Sequence, residues 1–159
     1  MSWWKNFKAS ACHHKLATAN KDQALEAVVD LLVKAKALES GSADAALKAL
    51  VAREELASTG IGMGVAIPHV KLAGLDSVVC SLVVLEQSVE WMAVDGAPVD
   101  IVFTILRPED RTDDHDPEEH LEMMRWIAGL AREADFCSFA RQATKKSALV
   151  DLLKEHAPS

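Results

Sequence analysis

The stretches Ser77–Glu86, with the sequence SVVCSLVVLE, and Val99–Leu106, with the sequence VDIVFTIL, are nearly continuous runs of Val, Ile, Leu and other apolar residues. Strands exposed on one face alternate apolar and polar residues, whereas strands covered on both faces are apolar throughout. Both stretches therefore predict central strands of a sheet. A sheet of this kind needs helices on each of its faces.

Apolar residues recur at helical spacing in the part of the chain that precedes these strands. One helix is predicted to begin near Asn20 or Asp22, either of which can cap it. A second helix is predicted to open at Ser42 and to end by Thr59. Their apolar stripes are Leu25, Val28, Val29, Leu32 and Ala35 for the first, and Ala46, Leu47, Leu50, Val51 and Leu56 for the second.

Helical signals return after the second apolar strand and a charged loop that begins at Arg107. Asp116 is typical of an N-cap and Pro117 of a first helical residue. Short helices are expected near Phe136–Arg141 and from Ser147 onward. The helix after Pro117 is predicted to bury Leu121, Met124, Ile127, Ala128 and Ala131.

The order of helices, three or four strands and more helices predicts one α/β domain with a mixed sheet between helical layers. A short apolar strand is expected to end at Pro68, and a further strand is expected at Val89–Val94, closed by an Asp95-Gly96 turn. Residues 1–19 are expected to form an irregular segment packed on the domain, with a short strand near residues 11–16 and two exposed tryptophans, Trp3 and Trp4.

Composition limits the function classes. The chain has 159 residues, with 17 Lys and Arg against 24 Asp and Glu, a net charge of −7. An acidic protein of this kind is not expected to bind nucleic acid, and no apolar run is long enough to span a membrane. Cys12, Cys80 and Cys137 are scattered, so we expect free thiols in a reducing compartment. The beginning of the chain lacks the pattern of a secretory signal, and a cytoplasmic location is expected.

His69 is the first candidate for chemistry. It follows a predicted strand and Pro68, which stiffens the backbone that enters it. Gly60, Gly62 and Gly64 lie just upstream, permit tight turns and allow backbone N–H groups to approach an anion. An imidazole is partly neutral and nucleophilic near pH 7. On these residues alone, however, a packed or surface histidine is the simpler interpretation.

Arg53 and His120 are weaker candidates when each is considered alone. Arg53 near the end of a helix is most simply a solvated cation that complements the helix dipole. Its guanidinium could also bind phosphate oxygens through several donors. His120, in the first turns of the helix after Pro117, is most simply an exposed polar residue.

Three stretches together resemble a known family. They are REELASTGIG at Arg53–Gly62, VAIPH at Val65–His69, and the pair His120-Leu121 that opens an amphipathic helix. This combination resembles the enzyme IIA domain of the fructose/mannitol class of the phosphoenolpyruvate-dependent phosphotransferase system. It is most similar to the stand-alone nitrogen-regulatory branch, and the resemblance covers residues 20 to 153.

The resemblance implies a single three-layer α/β/α sandwich, with residues 20–157 as the enzyme IIA type-2 domain. His69 would be phosphorylated by the phosphohistidine of HPr or of its nitrogen-branch paralogue. Arg53 would hold phosphate oxygens. His120 would be the second histidine, which hydrogen-bonds the phosphoryl group or sets the tautomer of His69. Transfer between two imidazoles depends on positioning and charge stabilisation, so no metal or organic cofactor is expected for it.

Three functions remain open at this point. The protein could signal through its phosphorylation state to a regulatory target, or pass phosphate to a separate IIB protein and then to a sugar such as fructose or mannitol. Nothing in the chain resembles a IIB cysteine site, which favours regulation. It could also be a non-catalytic binding module, because Val70 replaces the usual glycine and the loop Arg107–Glu119 is longer and more acidic than usual. That loop contains His115, the alternative to His120 as second histidine.

Two metal sites are weaker hypotheses. Cys12, His13 and His14 could bind zinc or nickel, although adjacent histidines lack the spacing of a metal site. The acidic cluster around Asp113 and Asp114 could bind a divalent ion, but a solvated loop that supplies an N-cap is the preferred interpretation. The sequence does not fix the oligomeric state.

Overall fold

A computed structural model describes residues 2–109, 112 and 115–158. Within them, a mixed six-stranded sheet has the strand order β1-β5-β6-β3-β2, and β4 also pairs with β6. Short 3₁₀ turns lie at Trp3–Asn6, Ala9–Ala11 and Ser40–Ser42. The strands and helices in chain order are β1 (His13–Leu16), α1 (Lys21–Lys34), α2 (Ala43–Leu56), β2 (Gly60–Gly62), β3 (Val65–Ala66), β4 (His69–Leu72), β5 (Val79–Val89), β6 (Val99–Pro108), α3 (Pro117–Ala131), α4 (Ala134–Gln142) and α5 (Lys146–Glu155).

The two apolar stretches form the antiparallel pair β5 and β6 at the centre of the sheet, with Leu82 opposite Phe103 and Val83 opposite Val102. Leu82 and Phe103 belong to the apolar cluster on one face, and Val83 and Val102 to the cluster on the other. Both faces are therefore buried, which is why these strands carry so few polar residues.

Helices cover both faces of the sheet. Most apolar residues of α1 and α2 join one buried cluster, and most of those of α3, α4 and α5 join the other. Leu56, predicted in the apolar stripe of α2, is exposed. The predicted α/β/α sandwich with a mixed sheet is confirmed. None of the helices in the described ranges is both long and apolar enough to cross a membrane.

The predicted caps form as the local sequence indicates. The Asn20 side chain accepts a hydrogen bond from the backbone N–H of Gln23 at 2.9 Å, at the start of α1. Asp116 caps α3 by accepting from the N–H of Glu118 at 3.0 Å, and Pro117 is the first residue of that helix. Such caps depend only on residues within one turn, so they can be predicted from sequence.

The strand predicted at Val89–Val94 is wrong, because β5 ends at Val89 and the chain beyond it is irregular. Trp91 is fully buried, and its indole N–H donates to the Thr59 hydroxyl at 3.3 Å. Met92 has a φ of 58°. This segment therefore packs on the loop after α2 rather than pairing as a strand, although the Asp95-Gly96 turn is present.

Pro68 interrupts the strand pairing along one edge of β6, and the pairing resumes after it. The strands before and after Pro68, β3 and β4, both pair in parallel with β6, and the Pro68 carbonyl accepts the N–H of Ile105 at 2.9 Å. Proline lacks a donor but keeps its acceptor, so pairing resumes at the next residue. His69 is therefore the first residue of β4 rather than the last position of a strand.

The beginning of the chain packs more closely than predicted. Trp3 is buried, with its ring 5.9 Å from that of Trp126 on α3, whereas Trp4 is half-buried. The buried stripe of α3 is predicted only in part: Ile127 and Ala131 are buried and Met124 and Ala128 are half-buried as expected, but Leu121 is exposed, and His120, Met123 and Leu130 are buried instead.

Candidate active site

The imidazole of His69 has a fixed orientation. Its Nδ1 atom lies 2.7 Å from the carbonyl oxygen of Ile67. A carbonyl oxygen can only accept, so Nδ1 carries the hydrogen and donates it. In the neutral ring the lone pair is then on Nε2. The half-buried side chain is therefore held as the tautomer whose Nε2 can act as a nucleophile.

A buried polar network supports the residue that orients His69. The backbone N–H of Ile67 donates to the carbonyl of Thr59 at 3.0 Å. The Glu54 carboxylate accepts the N–H of Thr59 at 3.1 Å and also its hydroxyl. Lys21 on α1 places its Nζ 3.1 Å from the same carboxylate. Hydrogen bonds therefore connect α1, α2 and the loop after α2 to the backbone beside His69.

His69 and Arg53 line one open groove of about 380 Å³. Arg53 donates from Nη1 to the carbonyl of Ala57 at 2.7 Å, which directs its guanidinium along the end of α2. A guanidinium retains further N–H donors after one such bond. The other residues that line this groove are Ser58, Thr59, Ile61, Ile67, Leu121, Met124, Arg125 and Ala128.

Arg125 is a groove residue that the sequence analysis missed. It lies on α3 with Leu121, Met124 and Ala128, which line the same groove. These positions recur at three and four residues, so they share one face of a helix. The helical spacing of Arg125 with these apolar residues is visible in the sequence, but the predicted apolar stripe of this helix did not include the arginine.

His120 lies near His69 but does not line the same groove. It is buried, and together with His115 it lines a separate cavity of about 70 Å³ between the start of α3 and the first residues of the chain. The structure therefore brings His69 and Arg53 to one groove and His120 and His115 to an adjacent cavity.

Burial and a nearby positive charge favour the uncharged form of both cavity histidines. Burial lowers the pKa of His120 to about 4, and the positive charge of Arg107 and the nearby rings of His115 and His69 act in the same direction. Burial and Arg107 likewise lower the pKa of His115, while Asp116 partly opposes them. A neutral imidazole can donate one hydrogen bond. It also carries no positive charge that would repel a neighbouring cation such as Arg107.

The glycines before His69 serve tight packing. Gly62 and Gly64 have φ values of 100° and 79°, as the predicted turns require. A Cβ on Gly64 would lie 2.6 Å from Nη2 of Arg141, which donates to the Met63 carbonyl at 3.0 Å. Arg141 also pairs with Asp100 on β6 at 2.8 Å. This pair holds the glycine turn against the sheet.

An exposed apolar rim lies along one side of the groove. Ile61 and Leu121 line the groove and are themselves exposed. The Val94 N–H donates to the Gly60 carbonyl at 3.1 Å, which brings the loop after β5 beside Ile61. We call the exposed residues Ile61, Met63, Met92, Val94 and Leu121 the apolar rim; Ile61 and Leu121 line the groove, and the other three lie in the segments that follow β2 and β5. Val70 instead packs toward the cluster beneath α1 and α2 and is not among the groove residues.

The two metal-site hypotheses gain no support from the described residues. No three His, Cys, Asp or Glu side chains converge there as a metal site. The rings of His13 and His14 stack on each other at 5.6 Å, and Cys12 is buried. Asp113 and Asp114, the centre of the predicted acidic cluster, lie outside the described residues.

Comparisons with known proteins agree with this geometry. Residues 5–156 match the model of the family described as phosphoenolpyruvate-dependent sugar phosphotransferase system, EIIA 2. The chain is 40% identical over 134 residues to the nitrogen regulatory protein of Pseudomonas aeruginosa, covering 84% of this chain and 82% of that protein. It is 30% identical over 137 residues to the fructose-specific EIIA component of Haloferax volcanii, covering 86% and 84%.

The fold is shared with a solved structure of a nitrogen regulatory protein. The crystal structure of nitrogen regulatory protein IIA-Ntr from Neisseria meningitidis superposes with a TM-score of 0.84 at 27% sequence identity. The match covers 96% of this chain and 99% of that one.

Proposed function

Since the chain belongs to the EIIA 2 family of the phosphoenolpyruvate-dependent sugar phosphotransferase system, we propose that it is a phosphocarrier in which His69 accepts a phosphoryl group from an HPr-type phosphohistidine protein. The hydrogen bond from Nδ1 of His69 to the Ile67 carbonyl carries this proposal, because it leaves Nε2 as a fixed nucleophile. Nothing in the step needs a metal or an organic cofactor.

The transfer exchanges one N–P bond for another. The Nε2 lone pair of His69 attacks the phosphorus atom, the donor's N–P bond breaks, and its electron pair returns to the donor imidazole. The Nδ1–H stays on His69, and the Ile67 carbonyl stabilises the positive charge that spreads over the phosphorylated ring. Arg53 and Arg125, which line the same groove, neutralise the phosphoryl oxygens.

The surface around the groove fits a protein as donor. The apolar rim offers Ile61, Met63, Leu121 and their neighbours to a partner, and exposed apolar patches of this kind mark protein interaction sites. A small-molecule donor would not need such a rim. The buried free cysteines, Cys12, Cys80 and Cys137, are consistent with the cytoplasmic location in which we place the protein.

Regulation is the favoured downstream role. The Pseudomonas aeruginosa relative, at 40% identity, is named a nitrogen regulatory protein. The phosphorylation state of His69 would then change the binding of a target protein, since a phosphoryl group adds charge in the groove beside the apolar rim. Sugar transport through a separate IIB protein is the second candidate, because the Haloferax volcanii relative at 30% identity is named a fructose-specific component.

The test is reconstituted transfer from phosphoenolpyruvate through enzyme I and HPr, read by intact mass. Wild type, His69→Ala, His120→Ala and the matched control His14→Asn are compared. We expect an acid-labile gain of one phosphoryl group in wild type and in the control, none in His69→Ala, and a slower gain in His120→Ala.

A folded wild type that gains nothing from HPr or from its nitrogen-branch paralogue would overturn transfer. The binding module would then be the better description, with His69→Ala leaving partner binding unchanged. If transfer is observed, addition of a IIB protein separates the two downstream roles. Loss of the phosphoryl group to IIB supports transport, and retention supports regulation.

A further inference from the structure

The loop between β6 and α3 places a second imidazole directly against that of His120. The ring centroids of His115 and His120 lie 5.7 Å apart, with the planes inclined at 66°. Only 5% of His115 and 6% of His120 is exposed. This is an edge-to-face packing of two buried rings, the arrangement that aromatic pairs prefer.

The main chain of His115 is hydrogen-bonded to that of Thr112. Its N–H and carbonyl pair with the carbonyl and N–H of Thr112 at 3.3 and 3.2 Å, and the Thr112 hydroxyl donates to the carbonyl of Asp76 at 2.5 Å. The next residue, Asp116, caps α3, and its carbonyl accepts the N–H of His120 at 3.0 Å. The two rings therefore lie together at the start of α3, on either side of its N-cap residue.

Within the part of the chain that the structure describes, His120 has no hydrogen bond that would orient its ring. Its Nδ1 atom is buried without a partner among the described residues. A histidine at a functional site is ordinarily oriented by a hydrogen bond to its second nitrogen. A neutral ring with its proton on Nδ1 would bury an unpaired N–H, which is rarer than a buried unpaired acceptor. The proton is therefore on Nε2, and packing has to supply the orientation.

We propose that His115 is a positioning residue for His120, whose ring it holds by edge-to-face packing in the orientation that presents Nε2–H. The proposal rests on the role of His120 in phosphoryl transfer proposed above. It also gives each of the two histidines a part, with His115 acting through His120.

Charged groups from several elements face this pair. Arg107 on β6 and His69 on β4 act on His120, while Asp116 and Glu119 from the start of α3 line the cavity. Glu119 accepts a hydrogen bond from the Trp3 indole at 3.3 Å. The variants that test the pair therefore leave all four of these groups in place.

The first test is NMR of the unphosphorylated protein with labelled histidines, which does not depend on transfer. Wild type is expected to show His120 as a single Nε2–H tautomer between about pH 5 and 8. In His115→Ala we expect a tautomer mixture and a titration moved upward, toward the ordinary pKa of histidine. His115→Phe, which keeps a ring but no titrating nitrogen, is expected to restore the single tautomer.

The second test is the rate of phosphoryl transfer to His69. His115→Ala is expected to lower it roughly tenfold, as loss of a supporting residue commonly does, and His115→Phe to recover most of that loss. In the double variant with His120→Ala, removal of His115 should add no more than about twofold. The control His14→Asn should behave as wild type.

Two results would overturn the proposal. One is a His120 tautomer and titration unchanged in His115→Ala. The other is an equal loss in His115→Phe and His115→Ala, because ring packing would then not be what orients His120. If wild type accepts no phosphoryl group at all, the proposed function fails, while the NMR comparison still decides whether His115 positions His120.

Discussion

Thr59 and His69 are joined through the main chain of a single residue. Ile67 donates its N–H to the Thr59 carbonyl at 3.0 Å, and its own carbonyl accepts the Nδ1–H of His69 at 2.7 Å. The loop after α2 therefore controls the ring that starts β4, although the two positions belong to different elements.

The first prediction concerns the nitrogen that is phosphorylated. Because Nδ1 of His69 is occupied by its hydrogen bond, we expect the phosphoryl group on Nε2. Nitrogen-15 NMR of the phosphorylated protein, through the coupling of the ring nitrogens to phosphorus, identifies the atom directly. A phosphoryl group on Nδ1 would contradict the assignment, because the ring would have to leave the Ile67 carbonyl.

The second prediction concerns the buried carboxylate of Glu54. It accepts from Thr59 twice and from Lys21, whereas the amide of Glu54→Gln would turn a donor toward groups that donate. We expect a loss of about 2–4 kcal/mol in the free energy of unfolding, measured with urea. The neighbouring and exposed Glu55 supplies the control: Glu55→Gln is expected to change stability by no more than about 0.5 kcal/mol.

Much of the fold could be predicted because its causes are local or periodic. The apolar sequence of β5 follows from burial on both faces, and the caps at Asn20 and Asp116 need only their own helical turn. His69 and Arg53, proposed from motif residues, do line one groove. Each of these signals lies within a short stretch of chain.

The features that the sequence did not predict depend on contacts between distant residues. Trp91 leaves the strand pattern because it bonds to Thr59, and β4 forms after Pro68 because β6 offers it an edge. Trp3 is buried because Trp126 lies opposite. A periodic sequence pattern does not show which distant residues will be in contact. The same holds for the contact of His115 with His120.

The third prediction concerns the two arginines of the groove. Arg53→Gln and Arg125→Gln each remove a guanidinium from the groove that His69 also lines. We expect transfer to His69, followed by rapid quenching, to slow by roughly 10²-fold in each variant. The melting temperature should stay near that of wild type. Arg132→Gln, at the exposed end of α3, is the matched control, and a similar loss of rate there would point to a general charge effect.

The fourth prediction is a pH dependence of stability. Burial lowers the pKa of His120 from 6.5 to about 4 in the folded protein. Between these values the unfolded chain binds a proton that the folded protein does not, so stability is lost as the pH falls through this range. His115, whose pKa is also lowered by burial, adds to the loss.

Urea unfolding at several pH values, with His120→Gln beside wild type, measures this contribution. The wild type is expected to lose more stability than the variant between about pH 6.5 and 4, because the variant has no imidazole at this position. Parallel curves for the two proteins would show that His120 is protonated equally in the folded and unfolded states.

The last prediction separates two costs of a side chain at a glycine. Gly64 and Gly74 both have positive φ, 79° and 87°, so alanine is strained at either position. Only at Gly64 would the new Cβ also meet neighbours, at 2.6 Å from Arg141 Nη2 and 2.9 Å from Asp100 Oδ1. Gly74→Ala should therefore cost about 1–2 kcal/mol of stability from strain alone.

Gly64→Ala should cost more than Gly74→Ala, because it also displaces the Arg141–Asp100 pair that holds the turn before His69. It should slow phosphoryl transfer as well, whereas Gly74→Ala should not. Urea unfolding and the transfer rate, measured on both variants, test this difference. Equal losses of stability would mean that Arg141 moves aside freely, and the ion pair would then have no part in holding the turn.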